Sequence, residues 1–145
     1  SMGGAAAIDF TLTYPEVVQK LVLIDSAGLV NPPGIGKFMF PPLDYLAAEF
    51  LRNLSVRDRI SRNAYKNPSF ATADALLCGA LHLQMPSWRQ ALIAFTKSGG
   101  YGCFKDRLSQ IQQPTLILWG DADKILGTED AQKFKSAIAR SQLIW

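Results

Sequence analysis

No run of about 18 or more apolar residues occurs in this chain. A membrane-spanning helix needs that length, so no span and no membrane partner are expected. No basic segment followed by an apolar stretch opens the chain, so no secretory signal is read there. The expected compartment is the cytoplasm, or an organelle stroma if a transit peptide is missing. Cysteine is scarce: Cys78 and Cys103 are the only two. Two cysteines make no dense disulfide framework, which suits a reducing compartment. They lack C-x-x-C spacing, and His82 is the single histidine, so no metal site and no cofactor are expected. An excess of one charge is also missing, with 15 Lys and Arg against 12 Asp and Glu, a net +3. The basic residues are not interleaved with aromatics as on a nucleic-acid surface, which argues against a nucleic-acid partner.

What remains is an ordinary globular composition, 48% hydrophobic and 19% charged, over 145 residues. That length suits one domain. The chain opens Ser1-Met2-Gly3-Gly4 and runs on through Ala5, Ala6 and Ala7. A Ser followed two residues later by Gly fits the second half of G-x-S-x-G, the sharp strand-to-helix turn that presents a nucleophilic hydroxyl. Gly3 takes the second glycine position. Glycine is needed there because the turn is strained and brings helix close to strand. In such a turn the N–H of Met2 points to where an oxyanion would form. Ser-Met is equally what tag removal leaves behind, so the tetrapeptide by itself does not choose.

In chain order, Gly4 to Tyr14 reads as a helix that is apolar nearly all round, as for a helix buried on a sheet. Pro15 ends it, because the residue before a proline disfavours helix. Lys20 to Asp25 is a continuous apolar run closed by an acid, typical of a parallel strand covered on both faces. The segment Asp25-Ser26-Ala27-Gly28 lies where such a sheet presents functional groups. Asn31 to Gly36 is a Pro/Gly loop. From Pro41 to about Phe104 four helical segments are expected. They are Leu43 to Leu54, one capped by Ser55, Ala71 to Met85, and one capped by Ser87 that stops at Gly99-Gly100. Thr115 to Trp119 forms a second buried strand, followed by Gly120-Asp121-Ala122-Asp123 at its carboxyl end. Thr128 looks like the cap of a helix reaching about Ala139, with Glu129 and Asp130 in its first turn. Gln142 to Trp145 begins a third strand. The segment 31–107 carries ten basic and five acidic residues, a net +5. Its cluster Arg57, Arg59, Arg62 and Lys66 reads either as a solvated helix face or as steering for an anionic ligand.

Elbow, helix, strand, all-helical insertion, strand ending in Trp-Gly-x-x-Asp, helix and strand: this order resembles the α/β-hydrolase fold family. The likeness is to its capped Ser hydrolases, of the meta-cleavage-product hydrolase and carboxylesterase kind. It rests on Ser1-Met2-Gly3-Gly4, Leu21 to Asp25 and Pro114 to Asp123, and covers essentially the whole chain. The resemblance implies an α/β fold with core segments 1–30 and 108–145, parted by a helical cap insertion at 31–107. It implies Ser1 as nucleophile, Met2 as oxyanion donor and Asp123 as triad acid. The chemistry agrees, since a Ser hydroxyl attacks when a His takes its proton and a carboxylate fixes that His. Asp25 is the alternative acid because it too ends a parallel strand, and Asp121 reads as a turn former. A Ser nucleophile argues against the family's dehalogenases and epoxide hydrolases, which use Asp. Ester, thioester or carbon–carbon bond hydrolysis of a small apolar acyl substrate remains. Trp88, Phe95, Tyr101 and Phe104 have the spacing of a substrate pocket and equally of a helical core.

The family's triad histidine follows the strand that begins at Gln142, and none occurs there in this chain. His82 sits among Leu76, Leu77, Leu81 and Leu83 and is expected to be packed in the core. The sequence therefore reads as the carboxyl-terminal part of a Ser hydrolase, expected to be inactive alone and of unknown oligomeric state. The rival readings are a non-catalytic ligand-binding module of the same fold and an inactive remnant.

Overall fold

The structure, a computed structural model, describes residues 2–29, 40–100 and 102–145. It divides into two compact units, Ser1–Pro32 with Tyr101–Trp145, and Pro33–Gly100. The second unit thus runs to Gly100, whereas the sequence reading carries the helical insertion to residue 107.

The first unit is built on three parallel strands in the order β1-β2-β3, namely β1 Leu21–Ile24, β2 Thr115–Leu118 and β3 Ser141–Ile144. Leu21 pairs with Thr115 and Thr115 with Ser141; at the other end Ile24 pairs with Leu118 and Leu118 with Ile144. Side chains alternate across a strand, so Leu21, Leu23 and Ile117 share one face. That face is covered by α1 (Met2–Thr13) through Ala5 and Ile8, and by Ala131, Phe134 and Ile138 in and just after α6 (Glu129–Ala137). Leu108 and Ile111, in and after a short 3₁₀ turn, complete this core.

The expectation of strands covered on both faces is corrected here. Val22 and Ile24 alternate outward at 52% and 59% exposure, and Ile144 does so at 45%. Leu116 and Leu118 on the same face of the central strand are half-buried. The helix α1 departs from expectation in the same way. Its apolar residues run all round, yet only Ala5, Ile8 and Thr11 are buried, while Met2 and Phe10 are exposed.

The second unit consists of α2 (Leu43–Arg52), α3 (Leu54–Ala64), α4 (Ala73–Ala80) and α5 (Trp88–Lys97), with two 3₁₀ turns, Pro68–Phe70 and Leu81–Gln84. Its core is Ala48, Leu83 and Trp88, with Leu51, Ala80, Leu92 and Ile93 packed around them. Buried Asp44 is paired with Lys97 at 3.2 Å, tying α2 to α5. The caps differ from the sequence reading. Asn53, not Ser55, caps α3, and its Oδ1 accepts from the N–H groups of Ser55 at 2.9 Å and Val56 at 3.3 Å. Thr72 caps α4 through Ala75 N–H. Ser87 and Thr128 hold the N-cap positions of α5 and α6 without a side-chain bond. The single helix expected from Ala71 to Met85 is broken, because α4 ends at Ala80 and the chain tightens into a 3₁₀ turn.

Candidate active site

Parallel strands deliver their carboxyl ends to one edge of a sheet, and the candidate carboxylates stand there side by side. Asp25 follows β1 directly. Its backbone N–H still bonds the carbonyl of Leu118, 3.1 Å away. Then φ turns to +40°, the left-handed region, which Asp tolerates better than most residues. The turn carries the side chain across to β2, where Oδ1 accepts the N–H of Gly120 at 2.8 Å.

The loop from Gly120 to Gly127 carries Asp123. Three further bonds fix it. Asp123 Oδ1 accepts from Ile125 N–H at 2.6 Å and Leu126 N–H at 3.0 Å, folding the loop around the carboxylate. The indole Nε1 of Trp119 donates to the carbonyl of Gly127 at 2.8 Å. Trp119 is itself buried against Phe134, and its N–H bonds Ile144 O at 3.0 Å, anchoring the exit of β2 to β3. Gly127 has φ +74°, a conformation that favours glycine. One oxygen of Asp123 is thereby committed to the backbone. Among the described residues no hydrogen-bond donor meets the other oxygen, Oδ2.

The amino end of α1 arrives at the same edge. A Cβ placed on Gly4 would lie 2.1 Å from Ser26 Oγ and 3.1 Å from Ser26 Cα. The helix start is therefore pressed onto the residue that follows Asp25. Ser26 is buried and its hydroxyl donates to the carbonyl of Ala27. Gly3, by contrast, has nothing within 4 Å of such an added carbon. The close-approach glycine is thus Gly4, one residue beyond the position taken from the motif. Met2 opens α1 and is 59% exposed.

The remaining sequence candidates fall on both units. Ser1 and Tyr101 lie outside the described residues. Phe104 is in the core of the sheet unit, its N–H bonded to Gly28 O at 2.7 Å. Trp88 is in the core of the helical unit, with the Arg57 guanidinium 5.7 Å above its ring. Phe95, on α5, is 37% exposed. His82 also belongs to the helical unit, but it is exposed rather than packed in the core; Leu83 next to it is the buried residue. Its ring lies 6.1 Å from that of Trp88. Two members of the basic cluster are engaged locally, Arg57 with Leu51 O and Arg62 with Asp58. Burial also pushes the Arg57 pKa down. Among the described residues no group of three His, Cys, Asp or Glu is placed to hold a metal, and no helix is long and apolar enough to cross a membrane.

The sequence reading missed the bond from Asp25 to Gly120, the anchor from Trp119 to Gly127 and the seat of Gly4 on Ser26. Only the last had a local signal, a second glycine beside the first.

The family described as serine aminopeptidase, S33, matches residues 1–143. The chain belongs to this α/β-hydrolase family. An α/β hydrolase domain-containing protein of Arabidopsis thaliana, VTE7, is 31% identical over 144 residues, covering 99% of this chain and 43% of the relative. A 2-hydroxy-6-oxononadienedioate/2-hydroxy-6-oxononatrienedioate hydrolase of Klebsiella pneumoniae is 34% identical, covering 98% of this chain and 50% of the relative. Among solved structures, a serine hydrolase involved in carbazole degradation superposes with a TM-score of 0.72 at 24% identity, over 99% of this chain and 50% of that one. The chain spans about half the length of the curated relatives it matches.

Proposed function

We propose that these residues supply the nucleophile and the acid of a Ser-His-Asp hydrolase acting on a small apolar acyl substrate. The carrying observation is the Asp123 carboxylate at the carboxyl end of β2, with one oxygen fixed by two backbone N–H groups and the other met by no donor among the described residues. In this reading Ser1 attacks the substrate carbonyl and an imidazole takes its proton. Asp123 Oδ2 holds that imidazole in the productive tautomer and stabilises its cation. The Met2 N–H, at the positive end of α1, stabilises the oxyanion. The imidazolium returns that proton to the leaving alcohol, thiol or carbon as the substrate bond breaks; water, deprotonated by the imidazole, then releases the acyl group as an acid and the Ser hydroxyl is regenerated. The bond cleaved is an ester, a thioester or a carbon–carbon bond activated by a neighbouring carbonyl. The imidazole is the third member of this reading; His82, the single histidine of the sequence, lies in the Leu81–Gln84 turn of the helical unit.

The test is hydrolysis of a short-chain p-nitrophenyl ester by the longest polypeptide the reading frame encodes. Ser1→Ala should abolish turnover, and Asp123→Asn should lower kcat by roughly 10³ to 10⁴ with folding intact by circular dichroism. A near-normal Asp123→Asn enzyme would show that the Asp123 loop is structural.

A further inference from the structure

Asp25 is a second carboxylate at the same sheet edge, and its geometry gives it a different task from that of Asp123. Its side chain is spent on a backbone N–H, that of Gly120, 95 residues away in sequence. Its own N–H is spent on Leu118 O. One residue therefore grips β2 on both sides of Trp119, on the last ladder carbonyl and on the first N–H of the acid loop. The grip requires a left-handed backbone at Asp25, with φ +40°. A side chain left in the pleat of β1 would point above or below the sheet, not along it towards β2. The next fixed point after Gly120 is Asp123, whose N–H reaches back to Gly120 O at 3.3 Å. A Cβ on Gly120 would stand 3.8 Å from Asp25 Oδ1 and 4.0 Å from Asp123 Cβ. The two acids thus bracket this one glycine.

We infer that Asp25 is the positioning residue for the triad acid: its carboxylate holds Gly120, and through Gly120 sets where Asp123 presents Oδ2. This rests on the reading of Asp123 as the acid. It assigns Asp25 a role apart from proton chemistry, because an acceptor oxygen is all that the Gly120 N–H needs. An amide serves that purpose nearly as well as a carboxylate, and Asn shares the tolerance of Asp for a positive φ.

The experiment compares Asp25→Asn, Asp25→Gly and Asp123→Asn in the longest polypeptide of the reading frame, on one activated ester. Asp25→Asn should stay within about threefold of the parent kcat, since acceptor and backbone are both kept. Asp25→Gly keeps the backbone without strain but loses the acceptor. It should lower kcat by roughly 10- to 100-fold with KM little changed, as expected for a misplaced group. A carboxylate beside an imidazole raises its pKa, so a displaced Asp123 lowers it. The acidic limb of the kcat/KM profile in Asp25→Gly should then move to lower pH. A purely structural loss would lower the amount of active enzyme and leave that limb in place. In an Asp123→Asn background, Asp25→Gly should cost almost nothing further, because the group it positions has been disabled.

A crippled Asp25→Asn enzyme, or an unmoved limb in Asp25→Gly, overturns the inference. If Ser1→Ala or Asp123→Asn retains full activity, the hydrolase reading itself has failed. The grip is then judged on the Gly120 amide alone, whose hydrogen exchange should be slow in the parent and in Asp25→Asn and fast in Asp25→Gly. Equal exchange in all three overturns it.

Discussion

Replacing Gly4 by Ala tests the seat of α1 on the strand end. The added methyl would lie 2.1 Å from Ser26 Oγ, 2.7 Å from Ser26 Cβ and 3.1 Å from Ser26 Cα. Rotating the hydroxyl away relieves the first contact only. The second and third involve atoms fixed by the backbone of a residue that is 1% exposed, so the helix start must lift. Overpacking of this kind costs about 1–3 kcal/mol. Alanine returns up to about 1 kcal/mol of helix propensity, less in a first turn. The net expectation is a loss of about 1–2 kcal/mol, or a Tm lower by about 3–8 °C for a chain of this size. Gly3→Ala is the internal control. Nothing lies within 4 Å of its added carbon, so propensity alone acts and stability should hold or rise slightly. Pairing Gly4→Ala with Ser26→Gly removes the two nearest atoms and should recover part of the loss. Thermal unfolding of the four proteins, followed by circular dichroism, gives the answer. Gly4→Ala as stable as Gly3→Ala would refute the close approach, and with it the placement of the Met2 N–H at the sheet edge.

Three further substitutions probe the supports of the two units. Trp119→Phe keeps an aromatic ring in the core but leaves the Gly127 carbonyl without its donor; it should cost about 1–3 kcal/mol in thermal or urea unfolding. Asn53→Ala removes the cap of α3 and should cost about 1 kcal/mol by the same measurement, whereas Ser55→Ala, which keeps the N–H that Asn53 accepts from, should cost a few tenths.

Continuous apolar runs ending in a polar residue were enough to place β1 and β2, although only alternate positions of each run are buried. Helix caps were less legible. Asn53 and Ser55 are both good capping residues two positions apart. What decides between them is the extended backbone at Asn53, ψ 123°, which aims its side chain back at the first turn. That angle is set by how α2 hands over to α3. The break at Leu81 is likewise tertiary, since nothing in Leu81-His82-Leu83-Gln84 forbids an α-helix, yet Leu83 is drawn into the core beside Ala48 and Trp88. Apolar content all round α1 suggested burial on every side; the described residues bury only the stripe through Ala5, Ile8 and Thr11. Composition reports what a surface would tolerate, and the neighbours decide which part of it is covered.

The site divides along the same line. A strand-end acid can be read from sequence, because strand ends are where a parallel sheet gathers polar groups. What that acid can do depends on contacts that no local pattern announces. Asp25 and Gly120 are 95 residues apart, and the bond between them exists only because β1 and β2 pair in register, Ile24 beside Leu118. That register places the residue after β1 level with the exit of β2, so a turn to positive φ is all that is needed to bridge the strands. Trp119 then fastens the far end of the same loop at Gly127, and two N–H groups inside it commit one oxygen of Asp123. A carboxylate held in this way is oriented before any partner arrives. In a hydrolase of the proposed kind that orientation is the useful property, since a group already in place need not be reorganised when charge develops on the imidazole.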